Sequence, residues 1–303
     1  MIINTIILLL SIPICIFGFY KLITQSIIQY STRIFLIMSL VFIIDHQIAL
    51  ITVRIQTFVL LYSGVCEIQV SECLFMFQGT IIGNAGLSLI QLSMSLDRIL
   101  NSIFKDIYFT YRHVFGPIFS LLTIFASIEV YKYILLKNPL TEFIVTCESL
   151  PTETFERYDF IITCTLYLSI IDIFVDLIVL RLSIIHERNM RKFYSVQKRY
   201  EANASLKCTQ TVMTISSIQF LSQMFYSAMY LIMMYFFVDY TSISFILLNL
   251  LGYPVVYTNT LHACLIIYSV NRIKKQRKQG IENMKNQRLS MDEHMNKLKT
   301  AWG

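Results

Sequence analysis

Several titratable side chains lie inside long apolar stretches of this 303-residue sequence, where an ionised group is costly. Asp172 and Asp176 are four residues apart, so a helix places both carboxyl groups on one face. Such a pair needs a proton or a basic partner, and the candidates are Arg181 on the same helix and His262. Two interpretations follow, a buried polar network and a proton- or cation-coupling pair, and we favour the network.

Asp45 is a third carboxylate in an apolar stretch. A lone carboxylate at the centre of a bilayer costs about 2.5–3.5 kcal/mol on insertion scales. We therefore expect Asp45 to face the interior of a helix bundle, either as a hydrogen-bonded residue or as an ion or proton site.

A charge-free run of 23 residues, Leu74–Leu96, ends at the adjacent pair Asp97 and Arg98 and begins after Cys73. As a helix this run is roughly 34 Å long, which is enough to cross the hydrocarbon core of a bilayer. The sequence therefore predicts a membrane helix that ends in an ion pair.

Six further charge-poor segments accompany this run, in a chain that is 55% hydrophobic and only 15% charged. Together they predict an all-α integral membrane protein with a bundle of seven transmembrane helices, residues 1–270, and a basic cytoplasmic tail, residues 271–303. The seven predicted segments are Ile2–Tyr20, Ile34–Leu61, Leu74–Leu96, Val114–Leu136, Phe160–Leu180, Thr211–Val238 and Phe245–Val270.

The distribution of basic residues predicts the orientation of the bundle. No Lys or Arg precedes Lys21 and no small-residue cleavage site is evident, so the first segment is expected to remain as a helix. With the N-terminus outside and the C-terminus cytosolic, four of the 25 Lys and Arg residues fall on the outer side, which leaves 21 on the cytosolic side. The net charge of +6 thus reflects topology in a lipid bilayer and does not indicate nucleic-acid binding.

The sequence gives no sign of catalysis, of a bound cofactor or of a metal site. It contains no HExxH motif, no P-loop and no Ser/His/Asp set, and its seven cysteines form neither a CxxC motif nor a Cys/His cluster. Cys66, Cys73 and Cys147 fall on the outer side, where a disulfide can persist.

Polar residues at a similar outer depth suggest a binding cavity. We expect ligand contacts from five residues on helices that should line one cavity: Thr80, Asn84, Gln223, Tyr226 and Asn249. Small residues on the third segment, Gly79, Gly83, Ala85 and Gly86, favour close packing against a neighbouring helix.

The layout resembles that of G-protein-coupled receptors. In the rhodopsin-like group, a disulfide cysteine begins the third helix and an Asp-Arg-Tyr motif ends it, with 25 positions between cysteine and arginine. Cys73 and Arg98 have this spacing, and the resemblance implies that Cys147 in the second outer loop is the disulfide partner. Tyr253, Pro254 and Tyr257 resemble the Asn-Pro-x-x-Tyr motif without its asparagine. The tryptophans typical of the fourth and sixth helices are missing, because Trp302 is the only tryptophan in the chain.

The details resemble the nematode serpentine chemosensory receptors, class alpha or a related class. The similar features are the His46-Gln47 pair, the glycine-rich third helix that ends in Asp-Arg-Ile, and Arg199-Tyr200 followed by Glu201 and Asn203.

This resemblance implies a receptor in the plasma membrane, in the sensory cilium of a neuron, that binds a small molecule from outside and activates a heterotrimeric G protein. Asp97 would hold Arg98 at rest, Arg98 would contact the G protein when released, and Tyr253, Pro254 and Tyr257 would belong to the same switch. The alternative is an ion- or proton-coupled transporter or channel that uses Asp45, Asp172, Asp176 and His262, although the sequence has no internal repeat of the kind found in transporters.

Overall fold

Seven α-helices and a pair of short β-strands make up the part of the chain that the computed structural model describes, residues 2–24, 28–63, 68–135, 143–144, 147, 154–190, 196–236 and 255–302. The helices are α1 (Ile2–Thr24), α2 (Tyr30–Ser63), α3 (Val70–Ile103), α4 (Lys105–Leu135), α5 (Phe155–Met190), α6 (Val196–Phe236) and α7 (Val255–Trp302). The predicted all-α, seven-helix architecture is confirmed. Within the described residues, four stretches are long and apolar enough to cross a membrane: Asn4–Thr24, Tyr30–Leu60, Val70–Ile103 and His113–Leu135.

Helix α3 is the central element of the bundle, since it packs against α2, α4, α5 and α6. Its contact with α2 is close because α3 presents glycines there. A Cβ atom on Gly79 would lie 2.6 Å from the Cβ of Ala49, and one on Gly83 would lie 2.6 Å from the Cβ of His46. These separations are below any normal carbon contact, so the α2–α3 packing requires glycine at both positions.

One end of the bundle is held by a strand pair and a disulfide. Strand β1 (Ile68–Gln69) precedes α3 and pairs antiparallel with β2 (Phe143–Ile144), with Ile68 opposite Ile144. Cys73 and Cys147 form a disulfide with their Cα atoms 5.3 Å apart, which confirms the bond that the resemblance implied. We call this the disulfide end of the bundle and the opposite end of α3 the Arg98 end.

The last helix continues well beyond its apolar part. Helix α7 runs without interruption for 48 residues and passes through the predicted boundary between residues 270 and 271. At 1.5 Å per residue it is roughly 72 Å long, so about half of it extends past any membrane crossing.

Candidate functional site

Arg98 is fully enclosed at its end of α3. Its Nη2 atom lies 2.5 Å from Asp97 Oδ2, and the exposed fractions of the two side chains are 2% and 0%. An ion pair this deeply buried is stable only when further hydrogen bonds satisfy both groups. Those bonds come from two neighbouring helices.

The first turn of α2 and the residue just before it supply acceptors for the guanidinium group. Arg98 Nη1 donates to Gln29 Oε1 at 2.5 Å, and Nη2 donates to Thr32 Oγ1 at 2.6 Å. The Ser31 hydroxyl lies between the two charged groups and donates to Asp97 Oδ2 at 3.1 Å. Arg98 is thus bound to α2 as well as to its own helix.

Tyr108 on α4 completes this set, which we call the Arg98 network. Its hydroxyl donates to Asp97 Oδ1 at 2.9 Å and lies 2.7 Å from Ser31 Oγ. Burial above all raises the pKa of Tyr108 to about 12, with a contribution from the Asp97 charge and against the lowering effect of Arg98. The hydroxyl therefore keeps its proton near neutral pH and acts as a donor.

The Arg98 network joins α2, α3 and α4 and keeps the guanidinium away from the surface. The sequence predicted the Asp97–Arg98 pair but not the partners Gln29, Thr32 and Tyr108, which approach only when the helices pack. The one local signal was a run of polar residues at the beginning of the second apolar segment.

A cavity opens between α3, α6 and α7, on the side of the Arg98 network towards the disulfide end. It measures about 380 Å³ when its mouth is included, but only about 20 Å³ is reachable by a water-sized molecule. This is room for about one water, well below the several hundred Å³ typical of ligand pockets. Its lining residues are Asn84, Leu87, Ser88, Ile218, Gln219, Ser222, Gln223, Val255, Thr258, Asn259 and His262.

The predicted ligand contacts divide into three groups. Asn84 and Gln223 line the cavity. Thr80 lies one turn from Asn84 but donates its hydroxyl to the carbonyl of Met76, and Tyr226 pairs with Tyr158 through hydroxyls 2.9 Å apart, so neither lines the cavity. Asn249 lies outside the described residues.

Asn259 and His262 on α7 form the part of the cavity wall that the sequence did not predict as ligand contacts. Asn259 Nδ2 lies 3.3 Å from His46 Nδ1, and His262 Nε2 lies 3.3 Å from Ser39 Oγ. Asn259 and His262 are therefore both hydrogen-bonded to α2 behind the cavity. A displacement of α7 would shift the α2 residues to which they are bonded.

The partners proposed for the α5 carboxyl groups are not the ones observed. Asp172 and Asp176 are both buried, and Ser95 Oγ donates to Asp176 Oδ1 at 2.7 Å. His262 instead contacts Ser39, and Arg181 is exposed. The two carboxyl groups face α3, where a serine hydroxyl takes the place of a basic side chain.

The expectation that Asp45 faces the bundle interior is wrong. Its side chain is exposed, whereas those of His46 and Gln47 are fully buried. The side of α2 that carries His46 and Ala49 packs against the glycines of α3. Successive residues of a helix point about 100° apart, so Asp45, which precedes His46, points away from this contact.

Of the three residues predicted to belong to a switch, Tyr253 and Pro254 lie outside the described residues. Tyr257 is 42% exposed, and its hydroxyl donates to Asn4 Oδ1 on α1. It makes no contact with the Arg98 network in the described hydrogen bonds.

Comparison with known proteins gives a consistent result along the whole chain. Residues 1–302 match the family described as "Serpentine type 7TM GPCR chemoreceptor Sra". The chain is 31% identical over 304 residues to serpentine receptor class alpha-13 of Caenorhabditis elegans, an alignment that covers 99% of this chain and 90% of the relative. It is 29% identical to serpentine receptor class alpha-11 of C. elegans, with 99% and 91% covered, and 28% identical to serpentine receptor class alpha-11 of Caenorhabditis briggsae, with the same coverage.

Proposed function

The chain belongs to the Sra family of serpentine seven-transmembrane chemoreceptors, and from this premise we propose that it binds an uncharged small molecule from outside the cell and activates a heterotrimeric G protein. The observation that carries the proposal is the double role of α3. Asn84 and Ser88 of this helix line the cavity, and Arg98 follows Ser88 by ten residues, or roughly 15 Å. A change in the position of α3 at the cavity would therefore reach the Arg98 network.

The lining of the cavity favours an uncharged ligand. Its described lining residues include no Asp, Glu, Lys or Arg, and the polar groups are amides, hydroxyls and one imidazole. An ionised ligand would lose its hydration there without gaining a charged partner. A neutral molecule with an apolar body and one hydrogen-bonding group matches the mixture of Leu87, Ile218 and Val255 with the amide side chains.

Ligand binding would act by shifting a conformational equilibrium. Because the cavity has room for about one water, a larger molecule binds only to a packing in which α6 and α7 lie farther from α3. Such a ligand stabilises the expanded packing by its differential affinity for the two states. Asn259 and His262 of α7 are hydrogen-bonded to α2, which also holds Arg98, so a displacement of α7 would pass through α2 to the Arg98 network. Rupture of that network would free Arg98 for contact with a Gα subunit, with Asp97 and the Tyr253, Pro254 and Tyr257 segment as further parts of the switch.

The disulfide end would face the outside, with the N-terminus there and the basic tail, residues 271–303, in the cytosol. Two observations support this orientation: the Cys73–Cys147 disulfide persists only on an oxidising side, and 21 of the 25 basic residues fall on the other side. The plasma membrane of a sensory cilium is the location that suits a receptor for external molecules.

The test is nucleotide exchange on a Gα subunit, measured with the full chain in membranes. Matched sets of compounds, in which one carbon skeleton carries a hydroxyl, an ammonium or a carboxylate group, would be applied to the wild type and to Asn84→Ala. We expect exchange with members of the hydroxyl series and a loss of potency of about tenfold in Asn84→Ala, the value of one hydrogen bond of about 1.4 kcal/mol.

Thr80→Ala provides the matched control, because Thr80 lies one turn away on the same helix and, in the described hydrogen bonds, its hydroxyl donates only to the backbone carbonyls of Met76 and Phe77. It should respond like the wild type. A preference for the ammonium or carboxylate series, or an equal loss of potency in both variants, would contradict this assignment of the cavity.

A further inference from the structure

A second group of buried polar side chains lies between α3, α5 and α6, apart from both the cavity and the Arg98 network. It consists of Asp172 and Asp176 on α5, Gln91 and Ser95 on α3, and Ser216 on α6, which we call the carboxyl cluster. All five are at most 4% exposed. Helices α3 and α5 run in the same direction, so Gln91, one turn before Ser95, lies level with Asp172, one turn before Asp176.

Four of the eight side-chain nitrogen and oxygen atoms of the carboxyl cluster lack a hydrogen-bond partner. Ser95 satisfies Asp176 Oδ1, but Asp176 Oδ2, Asp172 Oδ1, Ser216 Oγ and Gln91 Nε2 have none. The Ser216 hydroxyl lies beside both carboxyl groups, yet it meets hydrogen-bond geometry with neither. Buried polar groups are almost always partnered, so three unpartnered oxygens in one cluster indicate that a further species belongs there, whereas the amide nitrogen of Gln91 is a donor and would not be its ligand.

The charge of the carboxyl cluster points to the same conclusion. None of the ion pairs described, Arg98 with Asp97, Lys132 with Glu129 and Lys278 with Glu282, involves Asp172 or Asp176. Arg98 is near enough for Asp176 to feel its charge, but its guanidinium is bound to Asp97 and to α2. In the described part of the chain, no basic side chain is therefore paired directly with either of the two buried carboxyl groups.

We propose that the carboxyl cluster binds a hard metal cation, sodium or calcium, through the carboxylate oxygens of Asp172 and Asp176 and the hydroxyl oxygens of Ser95 and Ser216. Oxygen atoms are the ligands that such cations prefer, and carboxylate with neutral oxygen donors is their usual combination. Within the described residues no group of three or more His, Cys, Asp or Glu could hold a metal ion, so the proposed site depends on two carboxylates together with hydroxyl oxygens. The bound cation would join α3, α5 and α6 near the Arg98 end and so stabilise the packing in which Arg98 is enclosed.

Thermal unfolding of the purified full chain in detergent micelles tests this proposal without agonist or G protein, so its failure would leave the receptor proposal untouched. The midpoint would be measured in sodium, calcium, potassium and N-methyl-glucamine chloride at one pH and one ionic strength. At a cation concentration ten times the dissociation constant, we expect sodium or calcium to raise the midpoint by about 3–6 °C relative to N-methyl-glucamine. Comparison of the sodium and calcium titrations identifies which of the two is bound.

The variants locate the effect. Asp172→Asn and Asp176→Asn should lose the cation-dependent rise, and Ser216→Ala, which keeps both carboxyl groups, should need a severalfold higher cation concentration for the same rise. Asp45→Asn is the matched control, because it removes an exposed carboxyl group on α2, and it should keep the full response.

Three results would overturn the proposal. The first is an equal midpoint in all four salts together with a rise on acidification, which would mean that the carboxyl groups share a proton. The second is a rise of the same size in every metal salt, potassium included. The third is an undiminished sodium or calcium response in both Asn variants.

Discussion

The contact between Gly79 on α3 and Ala49 on α2 gives a prediction in which two destabilising substitutions cancel. In Gly79→Ala the new methyl group would lie 2.6 Å from the Cβ of Ala49 and 3.3 Å from the carbonyl oxygen of Asp45. Both neighbours belong to the helix backbone or are attached directly to it, so a change of rotamer cannot relieve the contact. In the double variant Gly79→Ala with Ala49→Gly, the methyl group moves from one helix to the other and the 2.6 Å contact disappears.

The expected losses of unfolding free energy show whether the Gly79→Ala and Ala49→Gly substitutions are coupled or independent. Overpacking costs about 1–3 kcal/mol, and the better helix propensity of alanine returns about 1 kcal/mol, so Gly79→Ala should lose up to about 2 kcal/mol. Ala49→Gly alone should lose about 1 kcal/mol from helix propensity. Independent effects would sum to a loss of about 1–3 kcal/mol, whereas in the coupled case the propensity terms cancel and the double variant lies within about 0.5 kcal/mol of the wild type.

The assay is the thermal midpoint of each purified variant in one detergent, where 1 kcal/mol corresponds to about 2–4 °C in a chain of this order of size. Gly18→Ala is the control, because the nearest atom to its Cβ would be the flexible end of Leu40 at 3.3 Å, so its midpoint should equal or exceed that of the wild type through the better helix propensity of alanine. A double variant whose loss equals the sum of the two single losses would refute the packing described for α2 and α3.

Two further predictions concern the two ends of the bundle. Cys73→Ser, Cys147→Ser and the double variant should all lose the same stability, up to about 4–5 kcal/mol, because a bond across 74 residues restricts the unfolded chain and is broken equally in each. Tyr108→Phe removes a hydrogen-bond donor to the buried Asp97 carboxylate. It should lower the free energy of unfolding by about 1–3 kcal/mol, measured as a fall of the thermal midpoint. If the Arg98 network holds the inactive packing, Tyr108→Phe should also raise nucleotide exchange in the absence of agonist.

Each of these predictions has a matched control in the chain. Cys164 is a free, half-buried cysteine, so Cys164→Ser should leave the midpoint near that of the wild type. Tyr111 lies one turn from Tyr108 and is 54% exposed, so Tyr111→Phe should change neither stability nor basal exchange. Unequal losses among the three cysteine variants, or a Tyr108→Phe protein indistinguishable from Tyr111→Phe, would contradict the corresponding prediction.

The helices could be predicted from the sequence because a long charge-free run has few other structures available in a membrane. Their ends could not. The charge-poor segment Phe160–Leu180 lies within a helix that extends from Phe155 to Met190, since backbone hydrogen bonds do not need an apolar side chain. The β1–β2 pair was also missed, because two residues on each strand leave no periodic pattern to detect.

The orientation of individual side chains was the weakest part of the prediction, and Asp45 shows why. The cost of inserting a carboxylate into a membrane indicates that the group needs stabilisation. It does not indicate how α2 is rotated about its own axis, and this rotation decides where Asp45 points. That rotation follows from the fit between two helices, in which Gly83 receives His46. The same limit applies to the predicted ligand contacts. Depth along the helix selected both Asn84, which lines the cavity, and Thr80, whose hydroxyl donates to the carbonyl of Met76 on the same helix, and it could not distinguish the two.

The hydrogen-bond partners of Arg98 also show what could not be predicted from the sequence. The spacing from Cys73 and the neighbouring Asp97 identified the ion pair, whereas Thr32 and Tyr108 reach it from other helices. Only the packed structure shows that the arginine is held by three helices at once.

The uninterrupted length of α7 has a mechanical consequence. Asn259 lies in the wall of the cavity, and the helix continues to Trp302, roughly 65 Å further along its axis. A rigid rod of that length magnifies small rotations, so a tilt of about 5° around Asn259 would swing the distal end by about 6 Å. An adjustment too small to alter side-chain contacts at the cavity would thus become a large displacement at the far tip, where a second protein could detect it.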